Sequence, residues 1–153
     1  MWYSVSLPTE DWELYWHERL AGIACQGVDD SSIAEIVNAQ MVEHLPRSFD
    51  AFLRLAGTSC GRLWVGSDTS YPRLLTLKQS ALSLTAEVEV EIPALDNGSV
   101  VFLMHQGYVF LYISAVGEDP PVMQFREDSV EPTQIAQSFS QFVLASIANL
   151  QST

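Results

Sequence analysis

Between Asn97 and Gly117 the chain runs 21 residues without a charged side chain, and the form that stretch takes decides the class of molecule. About 20 apolar residues suffice to cross a bilayer as a helix. The middle of this stretch, however, is His105-Gln106-Gly107, with Val100-Val101-Phe102 before it and Val109-Phe110-Leu111-Tyr112-Ile113 after it. β-Branched and aromatic residues fit a pleated surface, and a polar trio with glycine supplies a turn. The segment therefore reads as a hairpin over 100–114, and the chain as soluble with no membrane partner. Asn97-Gly98-Ser99, formally a glycosylation acceptor, reads as the turn that leads into the first strand.

The residues before it have helical spacing. Thr9 is placed to cap a helix from about Glu10 to Leu20, with Trp12, Tyr15, Trp16 and Leu20 on one face and Gly22 as the stop. Ser32 and Glu35 form a capping box for a second helix, whose apolar stripe is Ile33, Ile36, Val37 and Met41. Pro46 suits the first position of a third, carrying Phe49, Phe52, Leu53 and Ala56 and ending at Gly57. Beyond Gly57 the spacing shortens, and Arg62 to Val65 reads as a strand. Residues 78–91 alternate like a strand but have helix-forming composition, and a helix that yields to extended chain by Pro93 is the expectation. After the hairpin come a turn over Gly117-Glu118-Asp119-Pro120-Pro121 and a strand over Val122 to Arg126. Ile135, Phe139, Phe142, Val143, Ile147 and Leu150 mark a closing helix after Pro132 and Thr133. Three helices, a run of strands and a last helix make an α+β fold, an antiparallel sheet with packed helices in a single domain.

The N-terminal Met1-Trp2-Tyr3-Ser4-Val5 has no basic residue ahead of its apolar stretch, and Pro8 and Glu10 interrupt it, so it does not read as a secretory signal. Two cysteines, Cys25 and Cys60, are too few for a disulfide framework and read as small buried hydrophobes in a reducing, cytoplasmic setting.

The residue pattern excludes most chemistry. Gly57-Thr58-Ser59-Cys60-Gly61 matches the pattern of a hydrolase nucleophile elbow, but that motif needs a strand before the serine and a helix after it, and here the order is reversed. His17, His44 and His105 are far apart, and neither cysteine has a second ligand at metal spacing, so no metal site is expected. There is no phosphate-cradling loop or dinucleotide fingerprint, so no cofactor is expected either. The expectation is a protein without enzymatic activity.

Charge is more telling. The chain holds 19 acidic against 7 basic side chains, a net charge of -12. Such a protein repels the phosphates of nucleic acid, and its natural partner is a basic protein. Residues 79–153 contain Glu87, Glu89, Glu91, Asp96, Glu118, Asp119, Glu127, Asp128 and Glu131 against Arg126 alone, nine negative charges and one positive, or -8 of the -12. These acids fall at the ends of expected strands, where folding could gather several on one rim. Glu118, Asp119, Glu127 and Asp128, with Glu89 and Glu91, are the candidate partner-binding carboxylates; Tyr71, Tyr108 and His105 are candidate anchors beside them. Of the aromatic positions near those strands, Tyr71, Tyr108, Tyr112 and Trp64, most read as core, since aromatic side chains are large apolar groups first, and one or two as interface anchors.

With these residues in place the chain resembles the SUKH superfamily, the group of yeast Smi/Knr-type regulators and many bacterial immunity proteins. The resemblance is carried by the capped helix of Ile33 to Val42 running into Leu45-Pro46, Phe49, Phe52-Leu53 and Gly57; by Val101-Phe102-Leu103-Met104-His105-Gln106-Gly107-Tyr108-Val109-Phe110; by Asp119-Pro120-Pro121-Val122 and Gln124-Phe125; and by Ser138-Phe139 with Phe142-Val143. It implies a SUKH-like α+β domain over 31–150 and an N-terminal helical extension over 1–30. It further implies a bacterial, non-catalytic protein that binds and neutralises a cognate toxin, often a nuclease, by direct contact. The alternative within the same resemblance is a regulatory or scaffold module that binds an endogenous protein in cell-wall or stress control.

Overall fold

A computed structural model describes residues 11–93 and 95–151. Its elements, in order, are helix α1 (Trp12–Arg19), strand β1 (Cys25–Gln26), helices α2 (Asp30–Ala39) and α3 (Arg47–Ala56), strands β2 (Ser59–Cys60) and β3 (Asp68–Thr69), helix α4 (Leu74–Val88), strands β4 (Ser99–His105), β5 (Val109–Ser114), β6 (Val122–Arg126) and β7 (Thr133–Ala136), and helix α5 (Phe139–Gln151). β3 to β7 form one antiparallel sheet in the order β3-β4-β5-β6-β7, and β1 pairs with β2 in a separate two-stranded ladder. The fold is α+β, as the run of periodicities implies.

The charge-free stretch is the centre of that sheet. Ser99 pairs with Ser114 and His105 with Val109, which closes the hairpin over the three-residue turn Gln106-Gly107-Tyr108. Gln106 and Gly107 both have positive φ, 54° and 80°, as the right-handed twist of a tight hairpin requires. Both faces of β4 are covered, so its pattern is a continuous buried run and not an alternation.

One aromatic cluster joins the helices to this sheet. Phe139 of α5 meets Phe49 at 5.1 Å, Phe52 at 5.4 Å and Phe102 at 5.3 Å between ring centroids, each in an edge-to-face arrangement. Such pairs add about 0.5–1.5 kcal/mol beyond the area they bury. Trp16 of α1 joins the same cluster against Phe52 (5.1 Å), is fully buried, and donates its indole N–H to the Ser48 carbonyl at 2.9 Å. The helix within the first thirty residues is thus part of the core.

Several boundaries differ from expectation, each for a local reason. α1 is capped by Asp11, whose carboxylate accepts from the Leu14 amide; Thr9 and Glu10 lie outside the described residues. α2 is capped by Asp29, not Ser32, because an aspartate three residues earlier reaches the Ser32 amide first (2.9 Å). Met41 leaves the α2 stripe: it sits beyond the helix with positive φ and is exposed. Pro46 is the N-cap of α3, one position before the expected one. Arg62 to Val65 is a run of turns, not a strand; Trp64 and Gly66 have positive φ, and Val65 is 74% exposed. Residues 74–88 are helical, and the glutamates beyond them lie on the loop that returns to β4. Ile135 belongs to the edge strand β7, and the closing helix starts only at Phe139.

Candidate functional site

The strand register sorts the nominated residues by the end of the sheet they occupy. β4 starts and β5 ends at one extremity, where Ser99 faces Ser114; β4 turns into β5, and β6 leaves for β7, at the other. Glu118 and Asp119 follow β5 at the first end, and Glu89, Glu91 and Asp96 lie on the return loop into β4. His105, Tyr108, Glu127 and Asp128 lie at the second. The acidic half of the chain is therefore divided between two opposite rims and not gathered on one.

At the first end the polar groups hold the fold together. Asp119 accepts from the Ser140 amide (3.0 Å), the Ser140 hydroxyl (2.6 Å) and the Ser48 hydroxyl (2.8 Å). Ser138 Oγ accepts from the Gln141 amide (3.2 Å), so the N terminus of α5 has both a serine cap and a carboxylate on its positive dipole end. Glu118 accepts from the Ser48 amide through its carbonyl (2.8 Å), and its carboxylate lies 3.7 Å from Arg47. Beneath, Lys78 is fully buried and donates to the carbonyls of Gln40 (2.8 Å) and Ser99. The buried Gln40 amide bridges the Leu74 and Val101 carbonyls and accepts from the Val101 amide. Burial pulls the Lys78 ammonium down to about 8, with Asp96 opposing the shift. Sequence reading missed this joint, because a lysine within a helix-forming run looks like a surface residue.

At the second end the groups are open. His105 and Tyr108 meet edge-on at 6.1 Å between ring centroids, and the Tyr108 carbonyl accepts from the Glu127 amide at 2.9 Å. That bond ties the β6–β7 loop to the hairpin tip, bringing four nominated residues together. Tyr108 donates to the exposed Gln106 at 3.2 Å, and Asp128 lies 3.5 Å from Arg126. Glu127 and Asp128 are exposed. Beside them Leu103, His105, Tyr108, Leu111, Arg126 and Phe142 line a groove of about 270 Å³. Ser67 Oγ lies 3.1 Å from His105 Nδ1, a contact between residues 38 apart that no motif announces. A serine beside an imidazole can pass it a proton, but nucleophilic catalysis also needs a group that orients the ring and amides that hold an anion. Tyr108 packs edge-on against the same ring.

The remaining nominees stand apart. Tyr71 donates to Glu35 at 2.6 Å on the α2 side, which pushes its hydroxyl pKa up. Glu89 has positive φ and closes α4 as its C-cap. Ser59 is exposed on β2, with α3 before it, which is the reverse of the elbow order. Trp64 stacks on Phe142 at 5.6 Å and donates to Ser146. Among the described residues no group of histidine, cysteine or carboxylate side chains could hold a metal ion, and no helix is long and apolar enough to cross a membrane.

No protein-family model matches the chain, and no curated protein matches its sequence.

Proposed function

We propose that this protein binds another polypeptide through the hairpin-tip end of its sheet and neutralises it, as an immunity protein does a cognate toxin. The observation that supports this most directly is the gathering of His105, Tyr108, Glu127 and Asp128 on one open rim beside a groove. Aromatic anchors framed by exposed carboxylates suit a basic partner: the charges speed encounter, and the desolvated rings slow departure. The partner would be a basic protein, a nuclease being the natural candidate, because a surface that grips phosphate is itself positive. The resemblance of its motif order to that of the SUKH superfamily supports the same reading.

The test is co-expression with the product of the neighbouring open reading frame, followed by binding kinetics on the purified pair. Protection of the host, with an association rate that falls as salt rises, is the expected result. A toxic neighbour that is neither bound nor neutralised would remove the immunity reading.

A further inference from the structure

Cys25 and Cys60 are 35 positions apart in sequence and directly opposite in space. They are register partners across the β1–β2 ladder. The Gly61 amide donates to the Ala24 carbonyl at 2.9 Å, which makes Ala24 and Gly61 a hydrogen-bonded pair and leaves the neighbouring cysteines at a non-hydrogen-bonded position. At such positions the Cα atoms of antiparallel strands approach to ~4.5 Å, inside the ~4.4–6.8 Å window that a disulfide spans. As directly opposed cross-strand residues, the two cysteines share one face of the ladder. They differ in access: Cys60 is buried and lines a cavity of about 230 Å³ with Phe52, Leu63 and Trp64, whereas Cys25 is half-buried.

The ladder is held rigidly against α3. A Cβ on Gly27 would fall 1.8 Å from the Arg54 carbonyl oxygen, so the strand lies flush on the helix end, and the Val28 amide donates to the Leu53 carbonyl at 3.0 Å. The Thr58 amide donates to the Gln26 carbonyl at 2.9 Å and closes the other side. The two sulfurs therefore need no backbone rearrangement to meet.

We infer that Cys25 and Cys60 are a reversible dithiol–disulfide pair, closed by exchange with a small-molecule disulfide, that clamps the base of the chain segment carrying α2 and α3. The reachable Cys25 thiolate attacks one sulfur of the small disulfide, forming a mixed disulfide and expelling one small thiolate. The Cys60 thiolate then attacks the Cys25 sulfur, forming the Cys25–Cys60 bond and expelling the second. Two protein thiols lose two protons and two electrons, the small disulfide is reduced by the same two electrons, and its thiolates take up the protons. Burial, with Cys25 beside it, pushes the Cys60 thiol up to about 12, so the second step is the slow one and quickens as pH rises. Residues 26–59, which contain α2 and α3, lie inside the loop so closed.

The experiment equilibrates the full chain with oxidised and reduced glutathione at graded ratios. Thiols are counted after unfolding, intact mass is recorded, and a non-reducing peptide map is made. Closure is expected to take the thiol count from two to none with the loss of two hydrogens and no retained glutathione. The oxidised protein should remain monomeric and melt about 5–10 °C above the reduced one. Cys25→Ser should keep the melting temperature of the reduced protein and lose the oxidised shift; because Cys25 is half-exposed, this variant avoids disturbing the core that Cys60→Ser would. A glutathione adduct that persists on Cys25 would overturn the pair, as would Cys25-linked dimers or thiols that never close. A closed form that melts below the reduced one would overturn the clamp.

Discussion

At the end of the sheet where β4 begins, three polar side chains are engaged by the fold: Lys78 and Gln40 by backbone carbonyls, Asp119 by a helix terminus and two hydroxyls. At the end where β4 turns into β5, side chains of the same chemical types are exposed and hold little together. The contrast teaches that charge count alone does not locate a binding surface. A carboxylate that caps a helix is already committed, because moving it toward a partner would leave buried donors without an acceptor, at about 1–3 kcal/mol each. The first end also keeps exposed carboxylates, Glu89, Glu91, Asp96 and Glu118; the second sets its own beside the His105 and Tyr108 rings, which a partner could cover at little cost to the fold.

The largest effect that sharpens this contrast is a pH dependence at the first end. Lys78 holds its proton to about pH 8 when folded and to 10.5 when exposed, so between those values the unfolded chain binds more protons. Stability from this group therefore rises with pH through that window, by about 3 kcal/mol in all. Cys60 acts in the opposite sense above pH 9, where the unfolded thiol ionises and the folded one does not. Comparison with Lys78→Met, which keeps Cys60, cancels that contribution. Urea titrations from pH 7.5 to 10.5 should show wild type gaining on the variant as pH rises; parallel curves would mean that Lys78 is solvated in the native state.

Next in size is Asp119→Ala. It removes three hydrogen bonds to one carboxylate and should cost about 2–3 kcal/mol of unfolding free energy. Hydrogen exchange should quicken first in the opening turn of α5. A loss below about 0.5 kcal/mol, the ordinary range for a surface change, would return Asp119 to the pool of uncommitted acids.

The hairpin, the strand Val122 to Arg126, the aromatic stripe of α3 and the α+β class were all legible in the sequence. Each is written in local periodicity or turn chemistry, which a linear reading captures. What it could not supply was long-range pairing. The β1–β2 ladder is two residues long on each side, too short to have a period, and β7 is four residues of mixed polarity absorbed into a helical pattern through Ile135. Asp29 outranked Ser32 as a cap because both are good capping residues and only geometry chooses. At the candidate site, the gathering of His105, Tyr108, Glu127 and Asp128 depends on the Glu127–Tyr108 backbone bond, which sequence order does not encode. The commitment of Asp119 was hidden for the same reason, its partners lying 71 and 21 residues away.

A smaller effect probes what holds the open end. Gly107 has φ of 80° and no heavy atom within 4 Å of where a Cβ would stand, so Gly107→Ala meets no clash, only the backbone penalty of a left-handed L-residue. That penalty is about 1–2 kcal/mol, and thermal unfolding should detect it. If the loss were instead as large as that for Asp119→Ala, the hairpin tip would be a structural joint like the other end, and the contrast would fail.

The smallest effect on stability and the most informative on function comes from Glu127→Lys with Asp128→Lys. Both side chains are exposed, and the Asp128–Arg126 pair, at 3.5 Å between exposed groups, is worth little. The double reversal should therefore leave unfolding free energy within about 0.5 kcal/mol. Association with a basic partner should nevertheless slow roughly tenfold at low salt, because long-range attraction acts on encounter, and the difference should shrink as the Debye length falls below about 8 Å. Glu118→Lys, at the other end, loses a weak pair with Arg47 and should leave the association rate unchanged. Equal slowing by both reversals would mean that net charge steers the partner regardless of place. Slowing by Glu118→Lys alone would move the docking surface to the opposite end of the sheet.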